Sequence, residues 1–574
     1  MNSHSRSVSE FLDSGSRHSL NWDELWEEWR PVTPYGQDAK RELKPFHPGE
    51  EKAWEESMQV LQGDIKALSQ TEVDVLQSQL EKLPDIRNAA MTQQASVFSP
   101  RELLLLKQFA YYGKTLSDNW KAVLAGIWDS SMWDKLLKPF GNVSDKSFSI
   151  HHVASDTYRD NAKKLAEAQH GLSQAVHAWR EWWRQKTGIA PDKEGVIRCQ
   201  LPQQRDAAAS LRQLANADWI QETPFESVFK VETTDTVRAF QNQRDDVRLA
   251  MDKEADEVLL RLSRTLRQAS KTWQAAVHQI AHIDLRVSKT ALFLSWRIAS
   301  VPKAAQSIAV EEAVHPLVER RLKSAGRTYV PLNWEVPAGT SVLCGSNMGG
   351  KTVAMSVLAL CQLCAQYALP VPAKRFATHL FQRVRFYAGE SSGMDTNGDT
   401  RGTSSGHSTS GLSSFGTEVR QIKDAWDILL TGETALICFD EPAKSTNPIE
   451  GEALVVGTLR SLRQSLPNRN TQSSVIIATH FPQASAEPGC TQFRVRGLRQ
   501  AGLTPLAGGS NVEFSNRMKY LADAMDYRVE RIDTAVWSEE GLQVADWIGL
   551  PREILQESRR YREGRGSSKE AGES

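Results

Sequence analysis

The stretch Cys344–Leu360, CGSNMGGKTVAMSVLAL, constrains this chain more than any other. It follows the apolar run Thr340-Ser-Val-Leu-Cys344 and passes into an amphipathic pattern, so it reads as a strand giving way to a helix. Gly345, Gly350, Lys351 and Thr352 stand at the spacing of a phosphate-binding loop in the context that motif needs. Glycines let the backbone curl so that successive N–H groups face phosphate oxygens, and the positive end of the following helix adds to that field. Lys351 would reach the β- and γ-phosphates, and the Thr352 hydroxyl would hold Mg²⁺. Ser346, Asn347, Met348 and Gly349 inside the loop, with Val353 after it, complete the expected ATP-binding set. The plain alternative for such a loop by itself is a Gly-rich turn, so partner motifs decide.

A downstream apolar strand ends in carboxylates. Ala435-Leu-Ile-Cys-Phe439 runs directly into Asp440-Glu441-Pro442. One acid can bind Mg²⁺ through water and the second can polarise an attacking water, a contribution of roughly 10² to 10⁴-fold. A solvated turn is the alternative for an Asp-Glu pair. The preceding strand has no polar residue, which places the pair at the carboxyl end of a buried parallel strand, where α/β sheets bind ligands. A third strand, Ser474-Val-Ile-Ile-Ala-Thr479, ends at His480. A lone His is more often structural, but this one shares its strand-end position with the other two motifs.

GSNMGGKT, LICFDEP with STNPIEG after it, and IIATHF together resemble the ATPase domain of the MutS family, a branch of the ABC-type ATPases. SGLSSFGTE, Ser410 to Glu418, is similar to that family's signature loop. The resemblance implies that Ser413 contacts the γ-phosphate bound by the opposite protomer and that His480 senses the γ-phosphate. It also implies Glu441 as the catalytic base and Asp440 with Thr352 as the Mg²⁺ site. His315-Pro316-Leu-Val-Glu319 and Tyr329-Val-Pro331 resemble the opening of the same domain, where Tyr329 and Val330 would border the adenine. Two departures from the family pattern stand out. Ser346 stands where the family usually has Pro, and Leu332-Asn333 replaces Asn-Asp.

A length of 574 residues suggests three to four domain-sized units. The balance of 69 Lys plus Arg against 70 Asp plus Glu gives a formal charge of −1, which lends no support to a dedicated nucleic-acid binder. Six scattered Cys, two of them in expected buried strands, suit a reduced intracellular setting. Cys361 and Cys364 form a C-x-x-C inside the apolar helix after the phosphate loop, with no second pair nearby, so helix core is the reading. No signal peptide opens the chain and no run of eighteen apolar residues occurs, so a soluble, cytoplasmic protein with no membrane partner is expected.

Residues 1–20 are polar and expected to be disordered. Residues 21–300 are expected to form an α-helical MutS core, or lever, domain, opened by TPYGQDAKRELKPFHPGEE and descending through HIDLRVSKTALFLSW, both of which resemble that domain. Long helices are expected at Ser155 to Lys186 and from Val237 to about Trp296, packed antiparallel so that each covers the other's apolar stripe. Between them, about 188–235 reads as a reduced clamp-like insertion with strand-like pieces at Gly195 to Leu201 and Ser227 to Val231. It carries five Lys/Arg (Lys193, Arg198, Arg205, Arg212, Lys230) against eight Asp/Glu, an unfavourable field for gripping phosphates. The amino-terminal domains of full mismatch-repair MutS proteins are expected to be missing. The only Phe-x-Glu, Phe439-Asp440-Glu441, lies in the ATPase pattern.

Residues 301–530 are expected to form the MutS-type ABC ATPase, an α/β P-loop domain, with a flexible Gly/Ser/Thr loop at 388–411, helix from Glu418 to Leu430, and last strands at Gln492 to Val495 and Asn511 to Phe514. A dimerising helical segment at 531–564 and a disordered tail at 565–574 complete the expectation. Chains that start at the lever and keep a reduced clamp resemble the MutS-like subunits of reactivases for adenosylcobalamin-dependent lysine or ornithine aminomutases, and MDYRVERI and WSEEGLQVADWIGL carry that resemblance. It implies an ATP- and Mg²⁺-dependent dimer, homodimeric or paired with a related MutS-like subunit, acting on an aminomutase. The alternative is a shortened MutS homologue that clamps mismatched or branched DNA.

Overall fold

The computed structural model describes residues 10–88, 97–123, 128–141, 144–345, 350–388, 414–466, 472–498, 525–533 and 540–570. The chain divides into two compact units, Met1–Leu80 with Ala281–Ser574, and Glu81–Ile280.

The Glu81–Ile280 unit is built on two long helices, Asp156–Thr187 and Asp235–Gln268. Their ends follow from local chemistry. Ser155 and Thr234 are N-caps that accept from the Tyr158 and Val237 amides, and Gly188, at φ 77°, stops the first helix in the left-handed region. The helices run antiparallel. Ser155 hydrogen-bonds Glu254 near one end, Gly171 gives room to the Phe240 ring midway, and the Trp179 indole donates to the Glu232 carbonyl at 3.0 Å near the other. The second helical run does not continue unbroken to Trp296, as the periodicity predicts. Ala269 leaves helical geometry at ψ 12°, and a separate helix, Ser270–Ser295, follows, a break that no Pro or Gly marks.

Between the long helices lies a three-stranded antiparallel sheet of β1 (Val196–Gln200), β2 (Ala217–Glu222) and β3 (Glu226–Val231), in the order β1-β3-β2. Ile197, Cys199, Phe229 and Val231 pack with Leu211, Trp179 and Trp183 into its core. The two strand-like pieces read from sequence correspond to β1 and β3. The edge strand β2 has no buried residue, so it lacks the alternation by which a half-buried strand is recognised.

The other unit carries two sheets. β4 (Lys303–Ala304), β5 (Ile308–Ala313), β6 (Leu332–Val336) and β8 (Arg375–Thr378) form one, in the order β4-β8-β5-β6. β7 (Gly339–Cys344), β9 (Arg383–Ala388), β10 (Ala435–Asp440), β11 (Ser474–Ala478), β12 (Thr491–Leu498) and β13 (Met525–Arg531) form the larger, in the order β13-β12-β7-β11-β10-β9. Five strands are parallel, and β13 pairs antiparallel with β12 at the edge. The expected strand at Asn511 to Phe514 lies outside the described residues. The strand that lines the sheet edge is β13.

The helix Lys351–Gln366, after β7, is apolar on nearly every face and buried along most of its length. Such a helix needs cover on both sides. The sheet gives one, and the amino-terminal residues give the other. The Trp54 indole donates to the Ala365 carbonyl at 2.7 Å, the Phe46 amide to the Gln366 carbonyl at 2.7 Å, and Trp22 stacks on Tyr367 at 5.6 Å. Residues 21–80 therefore share a compact unit with this helix and with the end of the expected lever from Ala281 on, while Glu81–Ile280 forms the other unit. The disorder expected over 1–20 is corrected from Glu10 onward. Phe11, Leu12 and Leu20 are buried, Leu12 forms a parallel bridge with Val384 of β9, and Ser14–Ser19 is helical. Two apolar neighbours in a polar run suffice to close the exposed edge of β9. At the carboxyl end, Glu540–Ile548 and Arg552–Glu570 are helices, so the backbone stays helical beyond Gly564, where a disordered tail was expected. Among the described residues, no helix is long and apolar enough to cross a membrane.

Asp284 of the Ser270–Ser295 helix is fully buried and accepts from the Val32 and Thr33 amides at 3.0 and 2.7 Å and from the Thr33 hydroxyl at 2.6 Å. Burial pushes its carboxyl up to about 6, with those donors opposing the shift. Because the folded chain then holds this proton more tightly than the unfolded chain, the group's contribution to stability is greatest below about pH 4 and falls as pH rises through 6. In urea melts, wild type should lose about 3 kcal/mol between pH 4 and 7 relative to Asp284→Asn, since each tenfold gain in proton affinity on folding is worth roughly 1.4 kcal/mol. A pH-independent difference would show that the carboxyl titrates normally.

Candidate phosphate-binding and hydrolytic site

Three parallel strands deliver the site's residues to one end of the larger sheet. β11 pairs with β7 and with β10, so the carboxyl ends of all three lie side by side. The Glu441 amide donates to the Ala478 carbonyl at 3.0 Å and the Thr479 amide to the Leu343 carbonyl at 3.1 Å, stitching the three chain exits together. Gly345 leaves β7 at φ 141° with Val495 of β12 close against it, where a Cβ would sit 3.2 Å from the Val495 carbonyl oxygen. Gly350 enters the helix at φ 83°. Both positions need backbone geometry that side chains disfavour, which is the reason for glycine at each.

Lys351 is the first residue of the helix and is 4% exposed. Its ammonium donates to the Gly345 carbonyl at 2.9 Å and lies 3.4 Å from Glu441 Oε1. Both partners are oxygen acceptors of the kind a phosphate would supply, so the cation is held ready at the loop. Glu441 adopts φ 53°, rare for a residue with a side chain. That turn directs its carboxylate back over the strand ends, where Oε1 also lies 4.0 Å from His480 Nδ1. Strain of this sort at a functional carboxylate fits a position set by chemistry rather than by stability.

Asp440 and Thr352 meet directly, with the Thr352 hydroxyl donating to Asp440 Oδ2 at 2.7 Å. Burial raises the Asp440 carboxyl above the ordinary carboxylate value. The Thr352 hydrogen bond and the Lys351 and Lys444 charges oppose that rise, and neighbouring Glu441 adds to it. A hydroxyl and a carboxylate in contact are the hard oxygen donors that Mg²⁺ takes when substrate phosphates supply most of its shell. The residues thus fit the ion. Among the described residues there is no cluster of three or more His, Cys, Asp or Glu that would cage a metal without a substrate.

The structure brings Gly345, Gly350, Lys351, Thr352, Asp440, Glu441 and His480 together. Val353 follows on the helix and is partly buried. Ser346, Asn347, Met348, Gly349 and Ser413 lie outside the described residues. Tyr329 is buried, and burial raises its hydroxyl pKa, while Val330 is half-buried. Cys361 and Cys364 are fully buried in the core, as a helix-core reading of C-x-x-C requires. Tyr527 is a neighbour that the sequence reading missed. A Cβ added at Gly350 would lie 2.9 Å from Tyr527 Cδ1, so the ring closes on the last residue of the phosphate loop. Alternation along β13, which puts Tyr527, Val529 and Arg531 on one face, was the available signal.

A glycine-bounded loop, a lysine and two carboxylates at adjacent parallel strand ends form the arrangement of a P-loop nucleotide-binding site. Residues 341–564, from β7 through the carboxyl-terminal helices, match MutS domain V. The chain is similar to Endonuclease MutS2 of Lactococcus lactis subsp. cremoris, at 28% identity over 41% of this chain and 27% of that protein. It is also similar to Endonuclease MutS2 of Acetivibrio thermocellus, at 25% identity over 45% of this chain and 30% of that protein, and of Fusobacterium nucleatum, at 21% over 57% and 36%. By these matches residues 341–564 are similar to the ATPase domain of the MutS family. The chain spans less than two fifths of the length of these relatives.

An aromatic ring beside a nucleotide-binding loop can stack on a nucleobase, a contact worth about 0.5 to 1.5 kcal/mol. In calorimetric titrations, Tyr527→Ala should weaken ATP by about three- to tenfold, the equivalent of that energy, and leave inorganic tripolyphosphate unchanged. Equal loss for both ligands would place Tyr527 in the loop's support rather than at the base.

Proposed function

We propose that the chain is a Mg²⁺-dependent ATP hydrolase that works as a dimer in the cytoplasm and couples turnover to work on DNA. The observation that carries the ATPase part is the convergence of Lys351, Thr352, Asp440 and Glu441 at adjacent strand ends. When phosphate enters, Lys351 exchanges the Gly345 carbonyl and Glu441 for β- and γ-phosphate oxygens. Glu441, relieved of its cation, is then the base that accepts a proton from the attacking water. His480, beside Glu441, holds the γ-phosphate end, and Tyr329, Val330 and Tyr527 border the base. Bound Mg²⁺ would be held by Thr352 and Asp440 and would neutralise charge developing on the phosphates.

DNA as cargo is supported by the MutS2 relatives, which are named endonucleases. A second reading, a protein cargo such as an adenosylcobalamin-dependent aminomutase, draws on one observation. The β2 strand and the turn after it, residues 217–226, hold Asp218, Glu222 and Glu226 and no Lys or Arg, and expose Trp219, Ile220 and Phe225. Such a surface suits a protein better than a phosphate backbone. ATPase stimulation separates the two. DNA cargo predicts stimulation by duplex or branched DNA that fades between about 50 and 200 mM salt. Stimulation by an inactivated aminomutase, and none by any DNA, would favour the second reading.

Lys351, Thr352, Asp440 and Glu441 cover the phosphates from one side, so a partner chain is the natural source of contacts on the other, with Ser413 as the trans residue. The partner is an identical chain or a related MutS-like subunit. Mixing Ser413→Arg chains with Lys351→Ala chains should restore one working site per mixed dimer; no recovery at any ratio would mean self-sufficient protomers. Glu441→Gln should keep ATP binding and slow turnover by about 10² to 10⁴-fold, the usual contribution of a general base. Turnover within about threefold of wild type would be far short of that contribution and would assign the base elsewhere.

A further inference from the structure

The amino-terminal segment does more than cover a sheet edge. Arg385 of β9 is 5% exposed and donates through one terminal nitrogen to the Phe11 and Val384 carbonyls at 3.0 and 2.9 Å, and through the other to the Glu10 carbonyl at 3.0 Å. The Phe386 amide next to it donates to Ser16 Oγ at 2.7 Å. Arg385 Nε has no hydrogen-bond partner. It lies 3.7 Å from Asp13 of the amino-terminal segment and 3.7 Å from Asp424 of the helix Ser414–Leu430. One buried guanidinium thus faces two carboxylates from distant parts of the chain, and the Tyr387 hydroxyl donates to Asp424 as well.

The helix that carries Asp424 is also tied to the catalytic loop. Glu418, one turn into it, is 7% exposed and accepts from the Ser445 hydroxyl at 2.9 Å and from the Ser445 amide at 3.4 Å. Ser445 follows Asp440 and Glu441 in the segment where both Glu441 and Ala443 hold positive φ, at 53° and 60°. A strained loop keeps such a shape only when its surroundings determine it. β9 itself pairs with β10 up to Asp440, and Tyr387 stacks on Phe439 at 4.9 Å.

We propose that Arg385, locked in place by the segment Glu10–Ser19, is a positioning residue for ATP hydrolysis. It fixes the Ser414–Leu430 helix through Asp424, and the helix fixes the Glu441 loop through Glu418 and Ser445. This rests on the ATPase reading of Glu441. The residues touch no phosphate, so their loss should spare binding and slow the chemical step.

The test measures kcat and the ATP dissociation constant in the full chain for Arg385→Gln, for Asp424→Asn and for the pair. Asp424 is half-exposed, so its variant should fold if the buried Arg385 site does not tolerate change. Each single variant should lower kcat by about tenfold, the scale of a small misplacement of a catalytic group, and leave the dissociation constant within about twofold. The double variant should be no slower than the slower single one, because both act through one contact. Unchanged kcat in a folded Asp424→Asn chain, multiplicative losses in the double variant, or a weakened ATP affinity in step with kcat would each overturn the proposal. Turnover that depends on Glu441 but not on Arg385 or Asp424 sinks this inference alone. Turnover that does not depend on Glu441 sinks the parent reading and this inference with it.

Discussion

The helix Lys351–Gln366 is the element on which the rest depends. Its first turn carries Lys351 and Thr352, yet nearly all of its length is apolar and must be kept from water. A helix buried on all sides can be neither an outer layer nor a lone cap on a sheet. It is therefore enclosed between the parallel sheet and an aromatic cover from the amino terminus, where Trp22, Trp26 and Trp54 meet Tyr367 and the end of the helix. Burial here serves function through rigidity. A close-packed helix holds its first turn, with Lys351 and Thr352, in one place relative to the neighbouring strand ends.

With the scaffold fixed, the site's electrostatics follow. Lys351 and Glu441 occupy each other, and Thr352 and Asp440 do the same, so no buried charge or hydroxyl of the cluster stands alone. Each of these pairings is one that a nucleotide with its ion would replace by stronger charge-assisted contacts. The resting arrangement is thus a set of placeholders. Exchange of partners at Lys351 is also what would release Glu441 as a base, which links binding to chemistry through a single ion pair.

The motifs were legible because they are local. Gly345 to Thr352 and Phe439 to Glu441 carry their meaning within a few residues, and the strands before them are apolar enough to be read directly. What escaped depends on pairing between distant segments. Tyr527 reaches Gly350 only because β13 adds antiparallel to β12. Phe11 and Leu12 are two apolar residues in a polar run, and nothing local says that the edge of β9 awaits them. The packing of residues 21–80 was hidden for the same reason: their helices have the periodicity of a lever domain, and nothing local shows that they also cover the Lys351–Gln366 helix. The edge strand β2 had no buried face from which to infer it.

The most direct measurement is a structure of the full chain with Mg²⁺ and a non-hydrolysable ATP analogue. Lys351 Nζ is expected to leave the Gly345 carbonyl and Glu441 for the β- and γ-phosphates, with the metal between Thr352 and Asp440 and the Glu441 carboxylate turned toward the water behind the γ-phosphate. A nucleotide bound elsewhere, or phosphates in the loop with Lys351 still paired to Glu441, would contradict the assignment of this cluster as the hydrolytic centre.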